Sequence, residues 1–528
     1  MLSLQTVALG AFISLGLVYV LTTLSYRQRS RGAKPIPGPK GLPLLGNILD
    51  IQGPNLVPTF NKWNSEYGPI VAFSIFGQKQ IVLGTEKATN DLFVKRGNNY
   101  SERGTPPAAA YVSRDYVTAL MGKNDVWRRQ RKALHSVLAS TVAVTYEPFI
   151  ELESAYTLQH LIETPKDFNS HIERYAYGVI FRLALGQSVD SMNDKEVLES
   201  SKYTDDILDT FRPDKYLGNL IPSLLKLPTW LVPSNAELDR LANGMESQMN
   251  SFEDSVREGM KDGSAPDSWM RHFIENRQNL GLDRPEANYT LYALVGAGTR
   301  SPYNAVLSFI VAMMEYPDWQ QKLQDEVDRV VGSERLPVFE DLPNLPIVRA
   351  IVKEGIRWRS IVAEIGIPHM TEEDDFYEGY FIPKGTILHA NYSSILRERD
   401  LYPDGAAFNP DRWLNPAFPT YKEPLTVHPN LTNFTSFGYG RRACPGTNFT
   451  ERSLTVMVAR IAWGFDIKTP IDPVTKEEIK LNIQYEPTPN PKPLPFPADI
   501  SPRSKDRAAI IMAEAEKTRK SDPLRKDI

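Results

Sequence analysis

The chain has 528 residues, room for two or three ordinary domains or one large one, and its 41% hydrophobic and 23% charged residues exclude wholesale disorder. A net charge of −4 excludes a global basic field for nucleic acid. The single cysteine, Cys444, excludes an internal disulfide and a cysteine-rich zinc site, and it fits a reducing compartment.

The first 26 residues carry no charged side chain, and residues 4–24 form an apolar run of 21. At ~1.5 Å per residue this run can cross a ~30 Å hydrocarbon layer. Arg27, Arg29, Arg31 and Lys34 follow at once, so the positive-inside tendency places the body in the cytosol. The expectation is a transmembrane anchor over 1–26 in the endoplasmic reticulum membrane. A cleaved signal peptide fits less well, because there is no basic leader and the apolar run is long. The Asn-X-Ser/Thr sites at Asn99, Asn391 and Asn448 should then stay unmodified.

A basic, Pro/Gly-rich linker is expected over 27–50, with "KPIPGPKGLPLLGN" at its centre. "PIVAFSIFG" and "QIVLG" read as two strands turning at Gly77, and "TEKATNDLFVKRG" as a helix capped by Thr85. From Asp125 to Arg329 the apolar spacing is mostly helical. Within it, "LIPSLLKLPTWLVPS" is apolar but broken by prolines. It reads equally as a buried loop or as one dipping into the bilayer surface. "YFIPKGTIL" is strand-like, and a charged tail over 501–528 is expected to be poorly ordered. The whole reads as mainly α with a minor β part: one large domain over 51–500 behind an N-terminal transmembrane helix.

Cys444 stands in "FGYGRRACPG". Gly438, Gly440 and Gly446 allow a tight turn around the sulfur, and Pro445 stands where a helix could begin. A thiolate there gains from the helix dipole and from Arg441 and Arg442, which suits an axial ligand to a porphyrin iron. Phe437, Gly440, Arg442, Cys444 and Gly446 match Phe-x-x-Gly-x-Arg-x-Cys-x-Gly, the haem loop of the cytochrome P450 superfamily. In "KEGIRWR", Glu354 and Arg357 resemble its Glu-x-x-Arg pair, and Arg412 in "FNPDRW" resembles the third member of that structural cluster. The wording is most similar to fungal microsomal members of secondary metabolism.

The resemblance implies haem b with Cys444 on the iron, and NADPH electrons delivered by cytochrome P450 reductase, with cytochrome b5 as a candidate second donor. It implies propionate contacts from Trp127, Arg131, His369, Arg442 and Arg103, and a hydrophobic small-molecule substrate. Arg128, Arg129 and Lys132 form either a solvated face or a docking patch for an acidic reductase.

The distal helix departs from the family pattern Ala-Gly-x-Asp/Glu-Thr-Thr. In "VGAGTRSPYNA" Ala297 and Gly298 match, Arg300 replaces the acid, Ser301 the threonine, and Pro302 should widen a local break. Ser301 keeps a hydroxyl, but Arg300 stays protonated and cannot stand in for an acid. Glu364 is the candidate second acid, or a partner for a cationic substrate nitrogen. The leading reading is a monooxygenase that hydroxylates, epoxidises or oxidatively couples a hydrophobic or aromatic metabolite. The alternative is a reductase-independent haem-thiolate isomerase or lyase, motivated by Arg300 and Ser301, and the third is a non-catalytic haem-binding paralogue.

Overall fold

The computed structural model describes residues 24–51, 56–212, 214–360, 366–486 and 490–525. Most of the apolar run at 4–24 lies outside them, as does Glu364. No helix among the described residues is long and apolar enough to cross a membrane.

The strands are short. β1 (Ile70–Ile75) and β2 (Gln78–Leu83) form the expected hairpin, and Gly77 turns it with φ +80°. Alternation sends Val71, Phe73 and Val82 to a small cluster with Phe60 and Trp63, while Ile70, Ile81 and Leu83 face the main core. β3 (Glu102–Arg103), β4 (His369–Met370) and β7 (Ile387–Ala390) complete a five-stranded sheet in the order β1-β2-β7-β4-β3. β5 (Asp375–Tyr377) pairs with β6 (Tyr380–Ile382), and β8 (Phe465–Lys468) with β9 (Asp499–Pro502).

Helices make up most of the rest: α1 (Asp125–Leu138), α2 (Glu147–Glu163), α3 (Phe168–Leu185), α4 (Lys195–Asp209) and α5 (Ser234–Asp262) precede the longest, α6 (Arg284–Glu315). After it come α7 (Pro317–Val331), α8 (Pro346–Trp358), α9 (Thr447–Gly464) and α10 (Lys505–Ser521). α6 starts at a capping box: Asp283 accepts from the Glu286 amide at 2.8 Å, and Glu286 accepts from the Asp283 amide at 3.2 Å. It packs against α3, α8, α9 and α1, which places it at the centre of one continuous core.

Three expectations change on contact with the fold. Pro302 does not break α6, which runs helically through it. One lost N–H bond is tolerated because the helix is buried around Pro302, Tyr303 and Asn304. The tail over its described part, 501–525, is not loose. Ser504 caps α10, Ile511 and Ala515 are buried, and Asp522 lies between Arg182 and Tyr156.

The Pro/Gly-rich linker is docked on the body: Arg29 pairs with Asp374 at 3.0 Å, and the Pro37 carbonyl accepts from Ala72 at 2.8 Å. A Cβ at Gly38 would collide with the Ala72 carbonyl, so that approach requires glycine. The proline-broken loop is exposed, with Trp230 at 78% and Leu231 at 52%, which removes the buried alternative.

Candidate active site

The cysteine loop is shaped by two left-handed glycines. Gly438 has φ +80° and Gly440 φ +53°. A Cβ at Gly440 would also strike the Phe93 carbonyl, so both backbone and space demand glycine there. Gly446 plays another part. Its φ is −84°, open to any residue, and it caps α9, which begins at Thr447 rather than at Pro445. The Cys444 amide donates to the Phe437 carbonyl at 2.7 Å and closes the loop. Cys444 is solvent-accessible, and protein atoms crowd around its sulfur. Burial pushes its thiol up, and the Gly446 N–H and the Arg131 guanidinium pull it back.

Beside it, separate elements bring cations together. Asn124 caps α1 by accepting from the Trp127 amide at 2.8 Å, and Trp127 and Arg131 then share one helix face at a four-residue spacing. Arg131 donates to the Ala443 carbonyl at 3.3 Å. Arg442 donates to the Ser101 carbonyl at 2.7 Å, and its guanidinium lies 4.2 Å from the Trp127 ring centre. The β3–β4 register sets Arg103 opposite His369. Arg103 donates to the carbonyls of Ile367 (2.7 Å) and Ala119 (3.1 Å). His369 bonds the Tyr100 carbonyl through Nδ1 at 2.7 Å and stacks on Phe93 at 3.8 Å.

The three arginines thus lean on neutral carbonyls. Burial holds Arg103 and Arg442 below the ordinary guanidinium value, with Arg442 adding to it at Arg103, and with Arg131 adding to it and Glu102 opposing it at Arg442; burial with Arg103 behind it pushes His369 well down. Arg442 Nη2 is buried without a partner. Such a cationic donor set beside one accessible thiol fits a haem, whose two propionates bring the missing negative charge.

Glu354 and Arg357 form a fully buried fork, 2.8 Å at both contacts, and Arg412 Nε lies 3.3 Å from Glu354 Oε1. The Trp413 indole donates to Glu354 Oε2 at 3.0 Å. Of the basic patch on α1, Arg129 is turned to Glu286, Lys132 donates to the Asn279 carbonyl at 2.7 Å, and Arg128 pairs with Asp125. Two of its three cations therefore serve the fold.

On α6, Ala297 is exposed and Ser301 follows one turn later. Ser301 Oγ accepts from Asn490 at 3.4 Å. Arg300 is turned aside to Asp205 and to Glu486, the latter at 2.7 Å. Sequence reasoning missed Phe93, whose ring backs His369 and whose carbonyl seats Gly440, and it missed Asp205, Glu486 and Asn490. No local pattern marks these residues, since each meets its partner only through the fold.

Comparison with known proteins agrees with this geometry. A family model described as Cytochrome P450 matches residues 36–490. Cytochrome P450 monooxygenase psoD of Aspergillus fumigatus is 42% identical over 477 residues, covering 90% of this chain and 92% of that protein. Cytochrome P450 monooxygenase virE of Hypocrea virens is 33% identical over 508 residues, covering 94% and 91%. A zebra fish cytochrome P450 structure with abiraterone shares the fold at TM-score 0.67 and 20% identity, covering 85% of this chain and 99% of that one. With the family model spanning most of the chain and relatives matched nearly end to end, the protein belongs to the cytochrome P450 family and is an oxidoreductase of its monooxygenase type.

Proposed function

We propose that this monooxygenase carries haem b, whose iron Cys444 would hold, and acts on a hydrophobic or aromatic secondary metabolite by hydroxylation, epoxidation or oxidative ring closure or coupling. Its electrons come from NADPH through cytochrome P450 reductase, with cytochrome b5 as a candidate second donor. The observation that carries the reading is the accessible Cys444 thiol beside three guanidiniums that donate to backbone carbonyls and form no direct ion pair among the described residues. Bound there, the haem supplies oxygen activation, and the thiolate favours O–O cleavage.

The chain supplies the surroundings. Gly446 N–H and Arg131 stabilise negative charge on the sulfur. Trp127, Arg131, His369, Arg442 and Arg103 hold the propionates, and the Glu354 cluster locks the core behind the loop. Ser301 offers the distal hydroxyl that steadies a proton donor, and Glu364 remains the candidate acid.

The apolar run at 4–24 anchors the body to the endoplasmic reticulum membrane. The exposed Trp230, Leu231, Ile221 and Leu227 support contact of their loop with the same surface.

Carbon monoxide added to the dithionite-reduced protein tests the ligand. The red-shifted band of thiolate coordination is expected, and Cys444→Ser should abolish it. Expression with a reductase, comparing metabolites with and without the protein, tests the reaction. NADPH and O₂ consumed in step with product are expected; product formed without them would favour the isomerase or lyase reading instead.

A further inference from the structure

Arg300 occupies the position where the family pattern has an acid, and its surroundings show another use. One guanidinium nitrogen holds Asp205 of α4 and the other holds Glu486 at 2.7 Å, partners 95 and 186 residues away in sequence. The Arg300 side chain is 10% exposed, against 51% for Asp205 and 23% for Glu486. Lys492 stands 3.7 Å from the other oxygen of Glu486.

The same face of α6 continues the attachment. Asn304, one turn on, donates to Asn490 Oδ1 at 2.6 Å and to the Pro491 carbonyl at 3.2 Å, and Asn490 donates to Ser301. Toward the other end, the Tyr292 hydroxyl donates to the Tyr203 carbonyl of α4 at 3.3 Å. α6 is therefore laced to α4 on one side and to the residues around Glu486 and Asn490 on the other.

Two other roles for Arg300 fail on this geometry. An anchor for an anionic substrate needs uncompensated positive charge, but the carboxylates of Asp205 and Glu486 already neutralise this guanidinium. A proton relay needs a group that exchanges its proton near neutrality, and a guanidinium does not.

We propose that Arg300 is a positioning residue: a two-ended tie that holds α4 and the chain at Glu486 against the distal helix and so fixes the wall of the substrate pocket. Charge explains why the tie is needed. Glu173 on α3 interacts with the same group, and burial raises its carboxyl. Without Arg300, Asp205 would lose the cation it pairs with, and Glu486 and Glu173 would keep Lys492 nearby.

The inference rests on the haem reading proposed above, in which Ser301 of α6 supplies the distal hydroxyl. The test is amide hydrogen exchange on the full-length, haem-loaded protein, comparing Arg300→Met with the native chain. Exchange about tenfold faster in residues 195–209 and 484–486 is expected, with α2 and α9 unchanged. Binding of 4-phenylimidazole, followed by its Soret shift, should show association and dissociation rates raised together. Arg300→Lys, with one compact ammonium, should fall between the two.

Native exchange in both segments of Arg300→Met would overturn the tie. Should that variant fail to fold, Asp205→Asn at the half-exposed partner decides: faster exchange confined to 195–209 supports the proposal, and no change refutes it. Loss of the thiolate band in the native protein would instead refute the haem reading, so the two failures are distinguishable.

Discussion

The Glu354 and Glu153 clusters both bury a carboxylate between two guanidiniums, yet they balance the surplus charge differently. Around Glu354 no second carboxylate pairs directly with the guanidiniums among the described residues, and Asp404 acts on Arg412 only at longer range. Arg357 spends its remaining donors on the carbonyls of Leu396, Gly405 and Ala407, and Arg412 on those of Pro403 and Asp404. Around Glu153 a second acid arrives from the chain end: Arg182 reaches Glu153 at 2.8 Å on one side and Asp522 at 2.8 Å on the other, while Arg174 holds Glu153 at 2.8 Å. The first arrangement makes neutral backbone carry charge, so it organises the irregular chain at 396–407 that packs beside α8. The second sets two acids against Arg174 and Arg182, with Arg174 also donating to the Val189 carbonyl at 3.0 Å and Arg525 3.9 Å from Asp522, and it holds the chain beyond α10. A buried ion set survives only when every member has partners, but those partners decide what the set builds.

The largest expected effect separates the two at once. Glu354→Gln leaves two buried guanidiniums with no counter-charge and should cost about 3 to 5 kcal/mol. Thermal unfolding and the carbon monoxide spectrum should show little folded, haem-loaded protein. A stable, spectrally normal variant would break the comparison. Asp522→Asn should cost less, about 2 kcal/mol, because Arg182 keeps Glu153. Its melting temperature should fall while the thiolate band of the folded fraction stays as in the native protein.

Acid sharpens the contrast. Burial raises the Asp522 carboxyl, but the hydrogen bonds from Arg182 outweigh it and leave it below the ordinary 3.8. The unfolded chain therefore binds the proton first. The contribution of Asp522 is full above 3.8 and is lost as pH falls through the lowered folded value. The stability gap between native protein and Asp522→Asn should shrink in that direction, and a gap that widens on acidification would contradict the pairing. The smallest effect is Trp413→Phe, which removes one neutral donor from Glu354 and should cost about 1.5 kcal/mol in urea unfolding.

These clusters also show what was legible beforehand. Glu354 and Arg357 stand one helical turn apart, so their pairing follows from periodicity, and the cysteine loop is a contiguous decapeptide whose glycines announce its turns. Arg103 and His369 are different: they meet through two-residue strands 266 positions apart, and only family resemblance connected them. Arg129 looked like part of a surface patch until Glu286 at the start of α6 claimed its charge. Pro302 looked like a helix breaker, but packing around α6 outweighs a propensity penalty of about 3 kcal/mol.

By itself the sequence determined the short-range matters: the thiol loop, the Glu354–Arg357 pair, the β1–β2 hairpin at Gly77 and the mainly helical class. All of these depend on residues within a few positions of one another. Only the tertiary structure decided where the long charged side chains end, with Arg300 on Asp205 and Glu486, Arg182 on Asp522, and the basic cradle beside Cys444. Ion pairs and hydrogen bonds act over about 3 Å, whereas these partners lie tens to hundreds of residues apart, so the choice belongs to whichever elements packing brings together.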